Sequence, residues 1–553
     1  MLQRIRELYN DRKNLKDSLL WLMHISSPHR GSILFLILVN CSITAVGVAT
    51  AAINKHIIDE AVSSRLLLPY IVIAVAVALF SLSASVLLNI LTVRITEKYS
   101  FHIRSELYRH VLDSLWIERT SRHSEDYLSR MTSDVYVVTN GVTDVSINIV
   151  TTVFQFVMAF LLIWHYDSSL AVVALVSGPV AAFVSLFIAA RLKKIQVEIQ
   201  RSEAEYRKYL QEHISHADVI KVFGREDSSL ENLRSLHEKR FYWIKKRNKL
   251  NVWSTAVISA VFSGTYLFAF ITGAIRIASG EITYGTMTAF LSLMGQVQMP
   301  ILALAGLIPK FVGILASTGR IMEISDMKTE PVLCLPEDFA KTSVGLRINN
   351  VKLAYGDRVV VDNFSMDIKP GETVMISGSS GIGKTTLLRT VLGFLTADSG
   401  TEEFYDTTGD TVPCCAQTRQ YISYVPQGNT LFSGTIAENL RFGNPDAGEE
   451  QMQEALKDAC AWDFVSGLDN GIDTVIGERG CGLSEGQAQR IAIARAFLKP
   501  FEFLIMDEAT SALDEDTERR ILDNIKKKGK TCLFVSHRKT VACSADKVVE
   551  IKS

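Results

Sequence analysis

The chain has 553 residues, 48% hydrophobic and 21% charged, with 58 basic against 59 acidic side chains and a net charge of −1. That length exceeds one ordinary folding unit, and the balanced charge excludes a bulk-electrostatic nucleic-acid binder, so no nucleic-acid partner is expected. A mean hydropathy of +0.18 at this charge content implies apolar blocks alternating with charged ones.

Residues 1–16 are strongly charged and lack the apolar centre of a secretory signal. Six stretches then supply the roughly 20 apolar residues that a bilayer-spanning helix needs, at about 33–53, 69–93, 145–165, 170–190, 254–277 and 284–315. The run IVIAVAVALFSLSASVLLNIL is apolar on all sides, which a helix of a soluble bundle is not. Lys and Arg crowd 1–30, 94–144 and 191–251, whereas the intervening connections hold only Lys55, Arg65 and the nearby Arg276. Positive loops stay inside, so both termini are expected in the cytosol.

The two long inner loops, in SFHIRSELYRHVLDSLW and RSEAEYRKYLQEHISHADVIKVF, repeat apolar residues at three- and four-residue spacing. They predict membrane helices that continue into the cytosol. Asn40, Asn89, Asn148, Gln155, Gln296 and Gln298 are the main polar groups of the spans, where helix-to-helix hydrogen bonding is the first expectation and contact with a transported molecule the second. Lys310, in the inward half of the last span, is placed to snorkel or to line an inner vestibule.

From about Gly345 the pattern changes to short β-like runs, turns and helices. We read 1–325 as a membrane domain, 326–344 as a linker and 345–553 as a second domain of α/β type. Seven of the eight cysteines fall at or beyond Cys334, and the adjacent pair Cys414 and Cys415 has no second pair at zinc spacing, so reduced thiols are expected. In TVMISGSSGIGKTTLLRTVLGF a strand, a Gly-rich loop and a helix follow one another. Gly378, Ser379, Ser380, Gly381, Ile382, Gly383, Lys384 and Thr385, with Thr386 after them, fit the phosphate-loop pattern in its required context. The glycines let backbone N–H groups curl round phosphate oxygens at a helix N-terminus. Lys384 would reach the β- and γ-phosphates, and the Thr385 hydroxyl would hold Mg²⁺. Downstream, FEFLIMDE is an apolar strand ending in two carboxylates at the mouth of an α/β sheet. Asp507 is the candidate Mg²⁺ holder, and Glu508 the candidate general base for an attacking water.

With these motifs in this order, the chain resembles the ATP-binding cassette (ABC) exporters, in particular the half-transporters that fuse six spans to one nucleotide-binding domain. The resemblance covers nearly the whole chain. It implies an all-α polytopic membrane domain followed by an α/β P-loop NTPase cassette, with ATP and Mg²⁺ as cofactors. Tyr355 matches the aromatic residue that stacks on adenine. Gln427 matches the glutamine that senses Mg²⁺ and the γ-phosphate, and His537 the histidine that contacts the γ-phosphate. Leu483 to Gln487 match the family signature, so the resemblance places Ser484, Gly486 and Gln487 at nucleotide. Asp514 closes the matched loop after the catalytic carboxylate. Ser484 also opens a helix whose N-terminus forms a second anion site. In this family two cassettes meet head to tail, each ATP lying between one chain's Lys384 loop and the other's Ser484. A second half-transporter is therefore the implied partner, a homodimer before a heterodimer. Glu485 departs from the glycine usual at its position, and its carboxylate could weaken ATP capture by like-charge repulsion. The loop-tip segments 116–127 and 213–223 match the family's transverse helices that dock on the cassettes.

The expected activity is ATP-driven export by alternating access, in a bacterial cytoplasmic membrane, with the cassette in the cytosol. Sparse charge in the spans favours an amphipathic or lipophilic cargo: a lipid, a drug-like small molecule or a hydrophobic peptide. An importer or an ATP-gated channel on the same frame is the alternative. A cassette ATPase without transport disagrees with six spans.

Overall fold

The computed structural model describes residues 15–63, 68–336, 339, 343–355, 358–379, 381–477 and 482–551. The chain divides into two compact units, one holding 1–110 and 124–326, the other 111–123 and 327–553.

The first unit is helical. Its long elements are α1 (Arg30–Val62), α2 (Leu68–Asp113), α3 (Val135–Tyr166), α4 (Ser168–Ser215), α5 (Glu226–Ala278) and α6 (Tyr284–Ser325). Among the described residues, four stretches are long and apolar enough to cross a membrane: Ser27–Val62, Leu68–Asp113, Ser124–Tyr166 and Glu226–Ala278. The expected span at 170–190 lies within α4, but nearly all of its side chains lie outside the described residues. The apolar window of α2 is wholly unburied within the unit, with Val72, Leu79, Leu82 and Val93 all exposed. A helix in water could not present such a face, whereas one facing hydrocarbon can, because all its backbone groups bond internally.

Helix termini explain the tight connections. Asp167 donates its N–H to the Ile163 carbonyl at 2.8 Å, so α3 turns into α4 across a single residue. Thr283 caps α6 by accepting from the Thr286 N–H at 3.1 Å, and the Asp59 carboxylate takes the Gly285 N–H at 2.9 Å. At the opposite end of α6, buried Asp134 pairs with Arg320 and accepts from the Ser317 hydroxyl at 2.9 Å. Buried Arg130 reaches Glu323 at 2.8 Å. These pairs fix the start of α3 against the end of α6 and satisfy each other's charge. Asn40 donates to the Thr151 hydroxyl at 3.4 Å across α1 and α3, a helix-to-helix hydrogen bond of the expected kind.

In the second unit a five-stranded parallel sheet runs in the order β11–β3–β10–β9–β6, with β3 at Thr373–Ser377, β6 at Ile422–Val425, β9 at Phe503–Asp507, β10 at Thr531–Val535 and β11 at Lys547–Glu550. An antiparallel sheet runs β2–β1–β4–β5, with β1 at Val344–Tyr355, β2 at Arg358–Ile368, β4 at Ser399–Asp406 and β5 at Thr411–Pro413, and β7 (Gly434–Thr435) pairs antiparallel with β8 (Val475–Ile476). Every residue of β9 and β10 is buried, as a parallel strand covered on both faces requires. Period-two alternation sends Leu533 and Val535 into one apolar core with Leu346, Leu387 and Phe404. Cys532 and Phe534 face the other core, with Ile491, Ile521 and Leu456.

The tip of the first inner loop, 111–123, clusters with this second unit. Leu115 donates to the Lys328 carbonyl and Asp113 accepts from the Glu330 N–H, both at 2.8 Å. The Arg389 guanidinium stacks 4.5 Å over the Trp116 ring. Residues from Met327 onward also join the second unit, where Glu330 receives both terminal nitrogens of Arg419 at 2.8 and 2.9 Å.

Candidate functional site

Four neighbouring strands of the parallel sheet deliver the site from their carboxyl ends. The phosphate-loop segment follows β3, Gln427 follows β6, Asp507 ends β9, and His537 follows β10. This is the edge at which open α/β sheets bind ligands.

After β3 the backbone passes through left-handed conformations at Gly381 (φ 82°) and Gly383 (φ 107°), and helix Lys384–Val391 starts at once. A Cβ on Gly383 would stand 2.6 Å from a Val360 methyl, so the close approach of β2 as well as the dihedral requires glycine. Lys384 is buried. Its Nζ donates to the Gly378 and Ser379 carbonyls at 2.7 and 3.0 Å and lies 2.9 Å from His537 Nε2. The loop therefore curls round the ammonium, with its N–H groups at the start of a helix dipole. Ser380 lies outside the described residues, as does the side chain of Tyr355.

Two carboxylates differ sharply in setting. Asp507 is 1% exposed, and its Oδ1 has no hydrogen-bond partner among the described residues. Burial pushes its pKa up, while the Thr385 hydroxyl bonded to it and the cations Arg389 and Lys384 pull the other way. An orphaned buried carboxylate oxygen beside a threonine hydroxyl fits a hard divalent cation, which takes oxygen ligands. Glu508 is half-buried, its side chain 27% exposed, and its backbone is left-handed at φ 50°. Such a conformation in a non-glycine residue costs of the order of 1–3 kcal/mol, and it persists here because the Glu508 N–H bonds the Val535 carbonyl at 2.9 Å. Oε2 accepts from Gln427 Nε2 at 2.7 Å, and Oε1 lies 3.7 Å from His537 Nε2. Lys384, His537, Glu508 and Gln427 thus form one polar chain across four strand ends.

The helix Glu485–Leu498 begins with a capping box: Ser484 Oγ accepts from the Gln487 N–H at 3.3 Å, and Gln487 Oε1 accepts from the Ser484 N–H at 2.9 Å. Asp514 likewise caps the helix Glu515–Lys527, accepting from the Thr517 N–H at 2.9 Å, a bond that holds its carboxyl below the ordinary range. Glu485 is exposed at the first helical position, where its charge opposes none of the helix's own partial charges. Gly486 has no room for a side chain, because a Cβ would meet the Ala512 carbonyl at 2.8 Å.

Sequence reading missed two residues that set this loop. Gln489 donates to Ser511 Oγ and accepts from the Ala512 N–H, both at 3.1 Å. Arg538 donates to the Ser511 and Leu513 carbonyls at 2.7 Å. Adjacency of Arg538 to His537 and of Gln489 to the signature was the available signal. Their backbone partners are not encoded in any spacing.

In the helical unit, α1, α2, α3 and α6 enclose a cleft of about 780 Å³. Asn40, Asn89 and Asn148 line it, together with Asn140, which was not singled out in the sequence. Lys310 also lines it, with Nζ 2.6 Å from Asp144, and Asn148 donates to the same carboxylate at 2.6 Å.

Two family profiles match the chain: the ABC transporter transmembrane region over 31–301 and the ABC transporter over 361–511. The chain is 30% identical to an ATP-dependent lipid A-core flippase of Desulfotalea psychrophila, over 77% of this chain and 75% of that one. It is 29% identical to the alpha-hemolysin translocation ATP-binding protein HlyB of Escherichia coli, over 86% and 67%. It is also 29% identical to a putative multidrug export ATP-binding/permease protein of Staphylococcus aureus, over 83% and 80%. A solved structure of a bacterial Atm1-family ABC exporter with ATP bound superposes with a TM-score of 0.77 at 21% identity, covering 95% of this chain and 93% of the other.

Proposed function

The chain belongs to the ABC exporters, integral-membrane proteins that couple ATP hydrolysis to transport, and from that premise we propose that it works as half of a dimer with two ATP sites shared between subunits. The carrying observation is the convergence of Lys384, Asp507, Glu508, Gln427 and His537 at adjacent strand ends of one sheet. Lys384 and the loop N–H groups neutralise the β- and γ-phosphates of ATP. Thr385, Asp507 and Gln427 would hold Mg²⁺, whose charge would offset the negative charge that builds on a transferring phosphoryl group. Glu508 accepts a proton from the attacking water, and the carboxylate is kept accessible and aimed by Gln427 and by the strained backbone. His537 would contact the γ-phosphate.

The partner subunit completes each site with its own Ser484, Gly486 and Gln487, and we favour a second copy of this chain. Ser484 is solvent-exposed at a helix N-terminus, which suits an anion delivered by another molecule. The second inner-loop tip supports the same reading: helix Ala217–Val222 and the following Phe223 leave Val219, Val222 and Phe223 53%, 83% and 73% exposed. Such an apolar tip suits docking on a partner cassette. Lys and Arg clustering supports a cytosolic position for the cassettes and both termini.

The cargo is amphipathic: the cleft at Asp144 and Lys310 offers amides and one ion pair within otherwise apolar helices. The relatives' names span a lipid, a protein and drugs, which agrees with that breadth. The central test is Glu508→Gln in the purified transporter, which should lower ATP turnover by about 10²–10⁴-fold while ATP binding is retained. Unchanged turnover would falsify the assignment of the base.

A further inference from the structure

We propose that the transporter carries a built site for the headgroup of an anionic phospholipid, in a cleft of about 830 Å³ between α4 and α5 at the cytosolic edge of the membrane.

The two helices run antiparallel. Glu203 pairs with Arg240, Glu205 with Lys239 at 2.7 Å, and Arg247 donates to Gln196 at 3.2 Å, so residue numbers rise on one helix as they fall on the other. Extending that register sets Lys194 level with Lys249. Both positions sit where charge gives way to hydrocarbon: Arg191 ends the apolar run of α4, and the apolar run of α5 begins just beyond Lys249. The cleft is thus at headgroup depth for any lipid packed against these helices.

Its lining is cationic on both walls. Arg191 and Lys194 are three residues apart on α4, and Lys246 and Lys249 three apart on α5, so each pair shares a helix face. Glu198 is the acid among the lining residues. Lys194, Lys246 and Lys249 form no ion pair with a carboxylate among the described residues. Positive-inside bias alone scatters Lys and Arg round a helix end. Here the cations converge on a concave site with two indoles. Trp243 lies under the Lys246 ammonium at 4.9 Å, and Trp253, 63% exposed, stands on the membrane side. Indoles favour the interface, where one edge is apolar and the other wet. Val197 and Leu250 complete an apolar floor suited to the first acyl carbons. A phosphodiester with its glycerol backbone therefore meets charge at its head and hydrocarbon below it.

The proposal goes beyond the cargo and rests only on the membrane placement of the spans. It is tested on the full-length protein in nanodiscs holding brominated phosphatidylglycerol or brominated phosphatidylcholine, by quenching of the Trp243 and Trp253 emission, isolated by difference from the Trp243→Phe/Trp253→Phe variant. Brominated phosphatidylglycerol should quench preferentially, and the preference should fall about fivefold for each cation removed in Lys194→Gln/Lys246→Gln. The pair Lys208→Gln/Arg234→Gln, on the cytosolic extensions of the same helices, should leave it unchanged. Equal quenching by the two lipids, an equal loss from both variant pairs, or full displacement of the lipid by millimolar inorganic phosphate would each overturn the proposal.

Discussion

At the scale of single residues, burial decides which carboxyl groups can do chemistry and which titrate with the fold. Glu508 and Glu402 on β4 are both half-buried, but the Glu402 carboxyl is the more desolvated, and the Thr390 hydroxyl bonds it at 2.5 Å. Desolvation raises the Glu402 pKa from 4.5 to about 7, the hydroxyl bond opposing it. Between those two values the folded protein retains a proton that the unfolded chain has released. Stability from this group is therefore greatest below pH 4.5, falls as pH rises to about 7 and is level above that. Glu402→Gln keeps the volume and removes the titration. In the full chain, the cassette's Tm should gain little from this change near pH 4.5, progressively more up to about pH 7, and by a constant amount above that. A gap in Tm that is constant with pH counts against the assignment.

Elements carry the coupling. The loop-tip helix Trp116–Thr120 lies in the same compact unit as the phosphate-loop helix, and Arg389 joins them by stacking on Trp116. Arg389 also stabilises the charge on Asp507, so the loop tip and the candidate cation site share one guanidinium. An exposed cation–π pair contributes about 0.5–1 kcal/mol, too little to decide folding but enough to bias a docking equilibrium severalfold. Trp116→Ala should leave basal ATP turnover within about 1.5-fold and reduce cargo-stimulated turnover by about two- to fivefold. Equal loss of both rates would mark Trp116 as structural.

For the whole molecule, the arrangement of sites predicts a stoichiometry. A Lys384→Ala chain retains its signature helix, and a Ser484→Ala chain retains its phosphate loop. Neither forms a complete site with itself if ATP is shared between subunits. Co-assembled in equal amounts, half the dimers are mixed and each mixed dimer regains one of two sites. Turnover should then reach roughly a quarter of the parent value if sites act independently. Mixtures no more active than either variant alone would rule out the shared site.

The sequence by itself determined the class of both domains, because span length, Lys and Arg distribution and the phosphate-loop pattern are local signals that need no partner. It also determined which helix Ser484 begins, since a capping box is written within four residues. It left Lys310 without its partner: Asp144 lies 166 positions away, at 2.6 Å. The same holds for the 4.5 Å stack of Arg389 on Trp116, and for Gln489 and Arg538 fixing the loop after Glu508. The lipid cleft likewise depends on an antiparallel register that brings residues near 194 to residues near 249. Only tertiary structure decided these, because each is a contact between segments far apart in the chain, and side-chain chemistry at one end specifies no distance to the other.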